Sequence, residues 1–272
     1  MRMTDLSISL NARLSASLGA GLRANLRACW ATAVLLGVTT AAQAGPLLVS
    51  AASSLSNAFS EITQKYEAQY PGVKVVLNFA ASGQLLQQLE QGAPLDVLAT
   101  ADQETMDAAQ KKGLVAASER RDFVRNTLVL VVPKGRPVKF RRLEDLDQPA
   151  VLRIAIGNPA NVPAGRYARQ ALQAARLWSV VQAQSVYTQN VRQALDFVVR
   201  GEVDAGFVYG TDYALLPDKV TLAFEVPLAE PILYPIAKTQ GSKNGMEAKR
   251  FIAFVLAPDG QAIFSKYGFQ KP

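Results

Sequence analysis

Small residues at strand-to-helix turns are the groups in this sequence whose types and spacing could do chemistry. Such turns occur at Ser53-Ser54, Ala81-Ser82-Gly83, Pro163-Ala164-Gly165 and Asn190-Val191, and they carry almost no charge. A helix start leaves backbone N–H groups without partners inside the helix, and its dipole favours negative charge. Tyr209 ends a later apolar run and adds a phenolic donor. Together these positions predict an anion pocket built from neutral hydrogen-bond donors.

Each turn taken singly has a plainer explanation. Ser54 could be an ordinary helix N-cap, and Ala164 could simply belong to a Pro-Gly turn. The ligand hypothesis depends on the combination. In an open α/β sheet such turns lie together at the carboxyl ends of the strands, where ligands bind, and turns from two lobes can face each other across a cleft.

The composition argues against an enzyme and against a site for a free metal cation. The chain has no histidine, so a Ser-His-Asp relay is impossible, and neither a G-x-S-x-G elbow nor a Gly-rich phosphate loop occurs. Its one cysteine, Cys29, precedes the predicted mature chain. The carboxylates do not recur at metal-ligand spacing. We therefore expect no catalysis, no cofactor and no cation site, and we expect caps or surface charge from Glu61, Asp96, Asp102, Asp196 and Asp204.

Residues 1–44 have the pattern of a secretory signal peptide. Four arginines precede an apolar core at residues 30–38, and Ala42-Gln43-Ala44 provides an A-x-A-type cleavage site. The apolar core is shorter than the ~20 residues that span a bilayer. Without this segment the formal charge of +7 becomes +4, from 25 Lys and Arg against 21 Asp and Glu. We expect a soluble protein exported to the periplasm, with no nucleic-acid partner.

From Gly45 onward, apolar strands alternate with amphipathic helices, which predicts an α/β fold with mainly parallel sheets. The apolar run at 127–135 breaks this rhythm, and the run at 231–237 carries the chain back. We therefore predict two βα lobes joined by two crossover strands, with residues 45–128 and 232–272 in lobe 1 and residues 129–231 in lobe 2. The helical spacing is clear where Leu55, Phe59, Ile62 and Tyr66 share one face.

The same residues resemble a known family, the periplasmic molybdate-binding proteins of ABC importers. The likeness runs in order over essentially the whole mature chain, and it is carried by Ala51-Ala52-Ser53-Ser54-Leu55, Phe79-Ala80-Ala81-Ser82, Gly92-Ala93-Pro94-Leu95-Asp96, Val162-Pro163-Ala164-Gly165-Arg166-Tyr167-Ala168, Asn190-Val191-Arg192-Gln193-Ala194-Leu195 and Gly206-Phe207-Val208-Tyr209-Gly210-Thr211-Asp212. Position 81 departs from the serine that is frequent there in the family.

This resemblance implies a type II periplasmic binding protein fold that holds a tetrahedral oxyanion, molybdate or tungstate, between its lobes. Ser54 and Ser82 would donate through hydroxyl and backbone N–H groups, Ala164 and Val191 through backbone N–H groups, and Tyr209 through its phenol. The metal would be bound only as the oxyanion, and the protein would be a monomer that delivers it to an ABC permease in the inner membrane.

Two other hypotheses remain open from the residues. One is a binding protein for a different ligand, such as sulfate, phosphate or ferric iron, although iron would need a second tyrosine with carboxylates at the site. The other is an enzyme on the same two-lobed fold, as in porphobilinogen deaminase. The cysteine that carries the cofactor of that enzyme has no counterpart in the predicted mature chain.

Overall fold

Two β-sheets organise the chain in the computed structural model, which describes residues 45–137, 140–148 and 153–272. The predicted signal peptide, residues 1–44, lies outside these ranges. The strands are, in chain order, β1 (Leu47–Ala52), β2 (Val75–Ala80), β3 (Val97–Ala99), β4 (Arg121–Asn126), β5 (Leu128–Pro133), β6 (Ile154–Gly157), β7 (Ser185–Thr188), β8 (Ala205–Tyr209), β9 (Val220–Glu225) and β10 (Ile232–Lys238).

Helices follow most of the strands, as the alternating pattern predicts. A short 3₁₀ turn at Ser53–Leu55 comes directly after β1, and two more occur at Ala117–Glu119 and Leu143–Leu146. The α-helices are α1 (Ser56–Gln69), α2 (Ser82–Glu90), α3 (Gln103–Lys111), α4 (Pro163–Ala174), α5 (Trp178–Ala183), α6 (Val191–Val199), α7 (Gly210–Leu215), α8 (Gly245–Leu256) and α9 (Pro258–Lys266).

The first sheet has the strand order β2-β1-β3-β10-β4, and the second has the order β7-β6-β8-β5-β9. The chain passes from the first sheet to the second between Asn126 and Leu128, and it returns between Glu225 and Ile232. These observations confirm the predicted fold class. Each sheet is mixed, however. In the first sheet β1 is parallel to both its neighbours and β10 is antiparallel to both its neighbours. In the second sheet β6 is parallel to both its neighbours and β5 is antiparallel to both.

The apolar run at 128–133 shows why strand direction was harder to predict than strand position. All residues of β5 are buried, although both its neighbours run antiparallel to it. A continuous apolar run therefore records burial on both faces of the sheet, and an antiparallel strand in the middle of a covered sheet satisfies this equally well.

One hydrophobic cluster runs through both sheets, and a smaller, separate cluster includes Leu85 and Leu98. The predicted apolar face of the first helix is confirmed, since Leu55, Phe59, Ile62 and Tyr66 are fully buried. Phe59 makes edge-to-face contact with Phe123, with ring centroids 6.1 Å apart. Burying such aromatic side chains supplies much of the packing energy that holds the 3₁₀ turn against the first sheet.

Asp96 is a structural carboxylate, so its expected role as a cap or surface charge is wrong. It is only 3% exposed, and one of its oxygens accepts a hydrogen bond from Leu48 N at 2.9 Å. Ser242 Oγ donates to the other oxygen at 2.7 Å, and Asn244 donates through both its backbone and its side chain. Burial alone raises the pKa of Asp96, but these hydrogen bonds outweigh burial and hold the pKa below its ordinary value.

Candidate oxyanion-binding site

Ser54 lies in the 3₁₀ turn that links β1 to α1, and it is 3% exposed. Because this turn comes first, α1 begins only at Ser56, two residues after Ser54. Ser54 Oγ lies 3.1 Å from Tyr234 Oη. The hydroxyl is therefore held by a side chain of β10, far away in sequence.

Ser82 is the first residue of α2 and is fully buried. Its Oγ accepts a hydrogen bond from Ala101 N at 3.0 Å. A serine hydroxyl has one hydrogen to donate, and accepting this bond leaves that hydrogen free for another partner. Ala81, at the N-cap position, has no hydroxyl to offer.

Ala164 and Val191 lie in the first turns of α4 and α6. The sequence pattern alone places the start of this helix at Arg166, but α4 begins three residues earlier, at Pro163, because proline fits the first helical position without losing a hydrogen bond. In α6 the Asn190 side chain caps Gln193 N at 3.0 Å. The cap satisfies only that third N–H group, so helix geometry leaves the Val191 N–H without a partner inside the helix. Ala164 and Val191 are both buried.

Tyr209 ends β8 and is 1% exposed. Its Oη is buried and has no hydrogen-bond partner among the described residues. Burial raises the pKa of Tyr209 well above its ordinary value, so the phenol keeps its proton. A buried hydroxyl without a partner costs free energy unless it serves a ligand or a water molecule, which makes Tyr209 the strongest single indication of a ligand.

The two sheets meet where the 3₁₀ turn and α2 face α4 and α6, and we call this region the cleft. Gly83 N donates to Asn161 O at 3.0 Å across it. A Cβ on Gly83 would lie 2.8 Å from both the Cα and the carbonyl oxygen of Asn161, closer than real contacts allow. Only glycine lets these two backbones touch. Asn161 lies three residues before Ala164, so this contact brings the start of α2 to the start of α4.

A buried ion pair also crosses the cleft. Arg166 of α4 donates to Asp102 Oδ2 through Nε at 3.0 Å and through Nη2, and to Thr105 Oγ1 at 2.7 Å. Arg166 is 5% exposed and Asp102 is 3% exposed. Asp102 occupies the N-cap position of α3, but its side chain caps nothing. The expectation of a cap or surface charge is therefore wrong for this residue as well.

Arg192 makes a third connection, from α6 to the turn that holds Ser54. Its Nη2 donates to Ser54 O at 3.0 Å and its Nη1 donates to Asn57 Oδ1 at 3.0 Å. Its Nε forms an ion pair with Asp212 Oδ1 at 2.7 Å. Burial raises the pKa of Asp212, and the Arg192 guanidinium opposes that rise.

All five predicted site residues are buried, and each lies at or soon after the carboxyl end of a strand. Contacts across the cleft are made by residues beside them. Gly83 contacts Asn161, which links the segments of Ser82 and Ala164, and Arg192, next to Val191, contacts Ser54. The two arginines beside these donors are each paired with a buried carboxylate. The donors that remain for a ligand are neutral, and no group of three or more metal-ligating side chains occurs within the described ranges.

This cleft between two mixed sheets is the arrangement of a known family. A model of the bacterial extracellular solute-binding proteins matches residues 47–270. The chain belongs to this family. It is a family of binding proteins rather than of enzymes, and none of the helices in the described part of this member is long and apolar enough to cross a membrane.

Individual relatives carry the comparison further. The molybdate-binding protein ModA of Escherichia coli is 36% identical over 233 residues, which cover 84% of this chain and 90% of the relative. Among solved structures, the periplasmic molybdate-binding protein of Azotobacter vinelandii is 25% identical with a TM-score of 0.74, covering 83% of this chain and 99% of that one. The sulfate-binding protein SubI of Mycobacterium tuberculosis has a TM-score of 0.73 at 18% identity, which shows the shared fold alone.

These findings confirm the family resemblance inferred from the sequence motifs. Several contributors to the cleft were missed by sequence reasoning, namely Gly83, Asn126, Asn161, the pairing of Arg166 with Asp102, the contacts of Arg192, and Tyr234. Arg166 and Arg192 do stand inside the quoted motifs. Nothing in one sequence, however, indicates which distant groups they contact.

Proposed function

We propose that this protein captures molybdate, and tungstate with it, in the periplasm and delivers the ion to an ABC permease of the inner membrane. The observation that carries the proposal is the buried Tyr209 hydroxyl, which has no hydrogen-bond partner in the described part of the chain. The names of the relatives supply the identity of the ion. In this proposal residues 1–44 act as the signal peptide, the mature protein is a monomer, and it has no catalytic activity and no cofactor.

The proposed ligands are Ser54, Ser82, Ala164, Val191 and Tyr209. Residues 45–128 with 232–272 form one lobe, residues 129–231 form the other, and the ion is enclosed between them. Hydrogen bonds to a charged acceptor contribute roughly 1.5–3 kcal/mol each, so about seven of them offset much of the cost of removing a dianion from water. Closure of the lobes brings the donors together and presents one surface to the permease.

Selectivity in this proposal is geometric and depends on protonation. Molybdate and tungstate are tetrahedral and fully deprotonated, so a pocket made only of donors suits them. Sulfate is smaller and leaves some donors out of reach. Phosphate carries a proton at neutral pH, and that proton needs an acceptor which the proposed donors do not supply.

The test is thermal unfolding of the mature protein with molybdate, tungstate, sulfate or phosphate in excess. A specific ion at ~100 times its dissociation constant adds about 2.7 kcal/mol to the free energy of unfolding. We expect this shift with molybdate and tungstate and a smaller one with sulfate. A protein that responds to neither molybdate nor tungstate contradicts the proposal, and a preference for sulfate or phosphate favours the alternative oxyanion.

A matched pair of variants tests the backbone donors. Val191→Pro removes the N–H group at the first position of α6, where proline is tolerated. Asn190, which precedes it, has φ −158° and ψ 172°, an extended conformation that a following proline accepts. Val191→Ala keeps the N–H group and truncates the same side chain. We expect the proline variant to weaken molybdate binding about tenfold or more relative to the alanine variant, and equal dissociation constants would rule out this donor.

A further inference from the structure

We propose that Asn126 and Tyr234 fix the direction of the Ser54 hydroxyl, so that it donates to the bound anion and does not accept a proton from it. Neither residue is a proposed ligand. They would act as positioning residues that set the preference for a deprotonated oxyanion. The inference rests on the proposed function, because it takes Ser54 as a ligand.

The first step concerns the orientation of the Asn126 amide. Its Oδ1 accepts hydrogen bonds from Thr127 N at 2.9 Å and from Thr211 N at 3.4 Å. Backbone N–H groups can only donate, so the oxygen of the amide must be at this end. The opposite end is then the NH₂ group, which donates to Thr211 Oγ1 at 2.8 Å and to Tyr234 Oη at 3.1 Å.

The second step concerns the phenol of Tyr234. The Tyr234 oxygen accepts a hydrogen bond from Asn126 Nδ2. This amide nitrogen has no lone pair to offer, so the Tyr234 hydroxyl hydrogen must go to another acceptor. Ser54 Oγ lies 3.1 Å away and is the acceptor with good hydrogen-bond geometry; the Tyr209 phenol is also near Tyr234 but does not reach that geometry. The ring is fully buried and makes edge-to-face contacts with Tyr209 and Phe269. Burial also raises the pKa of Tyr234, so the hydrogen is present at every physiological pH.

The third step follows for Ser54. Once its Oγ accepts from Tyr234, its single hydrogen is free to point at the ligand. Ser54 Oγ has two lone pairs, so it could accept a hydrogen from a protonated ligand oxygen in two ways. Either the Ser54 hydrogen turns away from the ligand while Tyr234 keeps donating, or Ser54 donates to Tyr234 and accepts from the ligand. In each case one hydroxyl hydrogen is buried without a well-placed acceptor, and such a group lowers affinity by on the order of tenfold to a hundredfold.

The location of the two residues supports this role. Asn126 is the last residue of β4, where the chain leaves the first sheet, and Tyr234 lies near the start of β10, where it returns. Both therefore belong to strands of the first sheet, close to the two connections that join it to the second sheet. Their hydrogen bonds reach Thr211 beyond β8 and Ser54 beyond β1, so they link the two sides of the site.

The experiment compares two dianions of similar size that differ by one proton. Sulfate and, at mildly alkaline pH, monohydrogen phosphate both carry two negative charges, and molybdate serves as the reference. Calorimetric titration gives the ratio of the phosphate to the sulfate dissociation constant. We expect Tyr234→Phe to reduce this ratio about tenfold, because Ser54 can then rotate freely and accept. Tyr66→Phe is the matched control, since Tyr66 is also 0% exposed as a residue and the change removes a phenol hydroxyl that bonds to Glu247.

Asn126→Asp is the second variant, and it also serves if Tyr234→Phe does not fold. A carboxylate can only accept, so Tyr234 would donate to it, Ser54 would donate to Tyr234, and the Ser54 lone pairs would face the ligand. The added charge repels both dianions alike and leaves the ratio unaffected by simple repulsion. We expect the ratio to fall at least as far as in Tyr234→Phe.

The outcomes separate the two proposals. If the unaltered protein does not bind molybdate, the proposed function fails and this inference fails with it. If the unaltered protein binds molybdate but the ratio stays within about twofold of its original value in the folded variants, the inference alone is overturned. A general loss of affinity that is equal for both ions would indicate a merely structural role, and it too would overturn the inference.

Discussion

Replacing Tyr209 by phenylalanine should change anion binding and protein stability in different ways. The hydroxyl is buried and has no partner in the described part of the chain, so the folded protein loses no hydrogen bond when it is removed. Its removal even relieves a penalty of about 1–3 kcal/mol if the hydroxyl remains buried without water. We therefore expect the free energy of unfolding of the ligand-free protein to stay unchanged or to rise.

The same substitution should weaken the complex. A hydrogen bond from a phenol to a dianion contributes roughly 1.5–3 kcal/mol, and each 1.4 kcal/mol changes the dissociation constant tenfold. Tyr209→Phe should accordingly raise the molybdate dissociation constant by about tenfold to a hundredfold. The ring is retained, together with its contact to Tyr234 at a centroid distance of 5.7 Å, so packing around the cleft should be preserved.

Two measurements on the same samples make this prediction sharp. Denaturant unfolding without ligand gives the stability, and calorimetric titration with molybdate gives the affinity. Tyr66→Phe provides the contrast, because its hydroxyl bonds to Glu247 and accepts from Arg250 Nε at 3.2 Å. That variant should lose about 1 kcal/mol of stability and keep its affinity. If Tyr209→Phe behaves like Tyr66→Phe in both measurements, the Tyr209 hydroxyl is not a ligand.

Further predictions concern the closure of the cleft and the response to acid. Gly83→Ala should weaken molybdate binding at least tenfold although residue 83 is not a proposed ligand, because the new Cβ would lie 2.8 Å from the Asn161 backbone and would hold the cleft open. Small-angle scattering with molybdate present should then show a larger radius of gyration than for the unaltered protein. Asp102→Asn should have a similar effect, since a closed cleft would bury the Arg166 charge without its carboxylate, at a cost of up to about 3–5 kcal/mol; an unchanged radius and affinity would disprove this role. The hydrogen bonds that Asp96 accepts outweigh the effect of burial and lower its pKa in the folded protein. They therefore stabilise the folded protein fully above the unfolded-state pKa of about 3.9, and this stabilisation is lost as the pH falls through the lower folded-state pKa. In Asp96→Asn the free energy of unfolding should therefore depend less steeply on pH below about pH 4, and the same dependence as in the unaltered protein would contradict this.

Local patterns made much of the fold predictable. The order of strands and helices follows from short apolar runs and from the spacing of residues such as Leu55, Phe59 and Ile62 along one helix face. Helix boundaries were less accurate. The 3₁₀ turn at Ser53–Leu55 and the start of α4 at Pro163 depend on how the chain leaves a strand, which tertiary contacts decide.

The chemical character of the candidate site was also visible in the sequence. Serine, alanine, valine and tyrosine at turns, with no histidine in the chain, indicate neutral donors, because residue type alone decides what a group can donate. The charges near the site were not predictable in the same way. Asp102 at an N-cap position fits a helix cap, yet the structure buries it against Arg166.

By itself, the sequence determined the α/β fold class, the family and the set of donor-bearing turns, because each of these depends on residues that are close together along the chain. Only the tertiary structure decided which distant groups hold those donors in place. Arg166 is separated from Asp102 by 64 residues, Arg192 from Ser54 by 138, and Tyr234 from Ser54 by 180. Periodicity and turn chemistry carry no information over such separations. Packing of the two sheets brings these groups within hydrogen-bonding distance, and the direction of the Ser54 hydroxyl then depends on partners that no local motif contains.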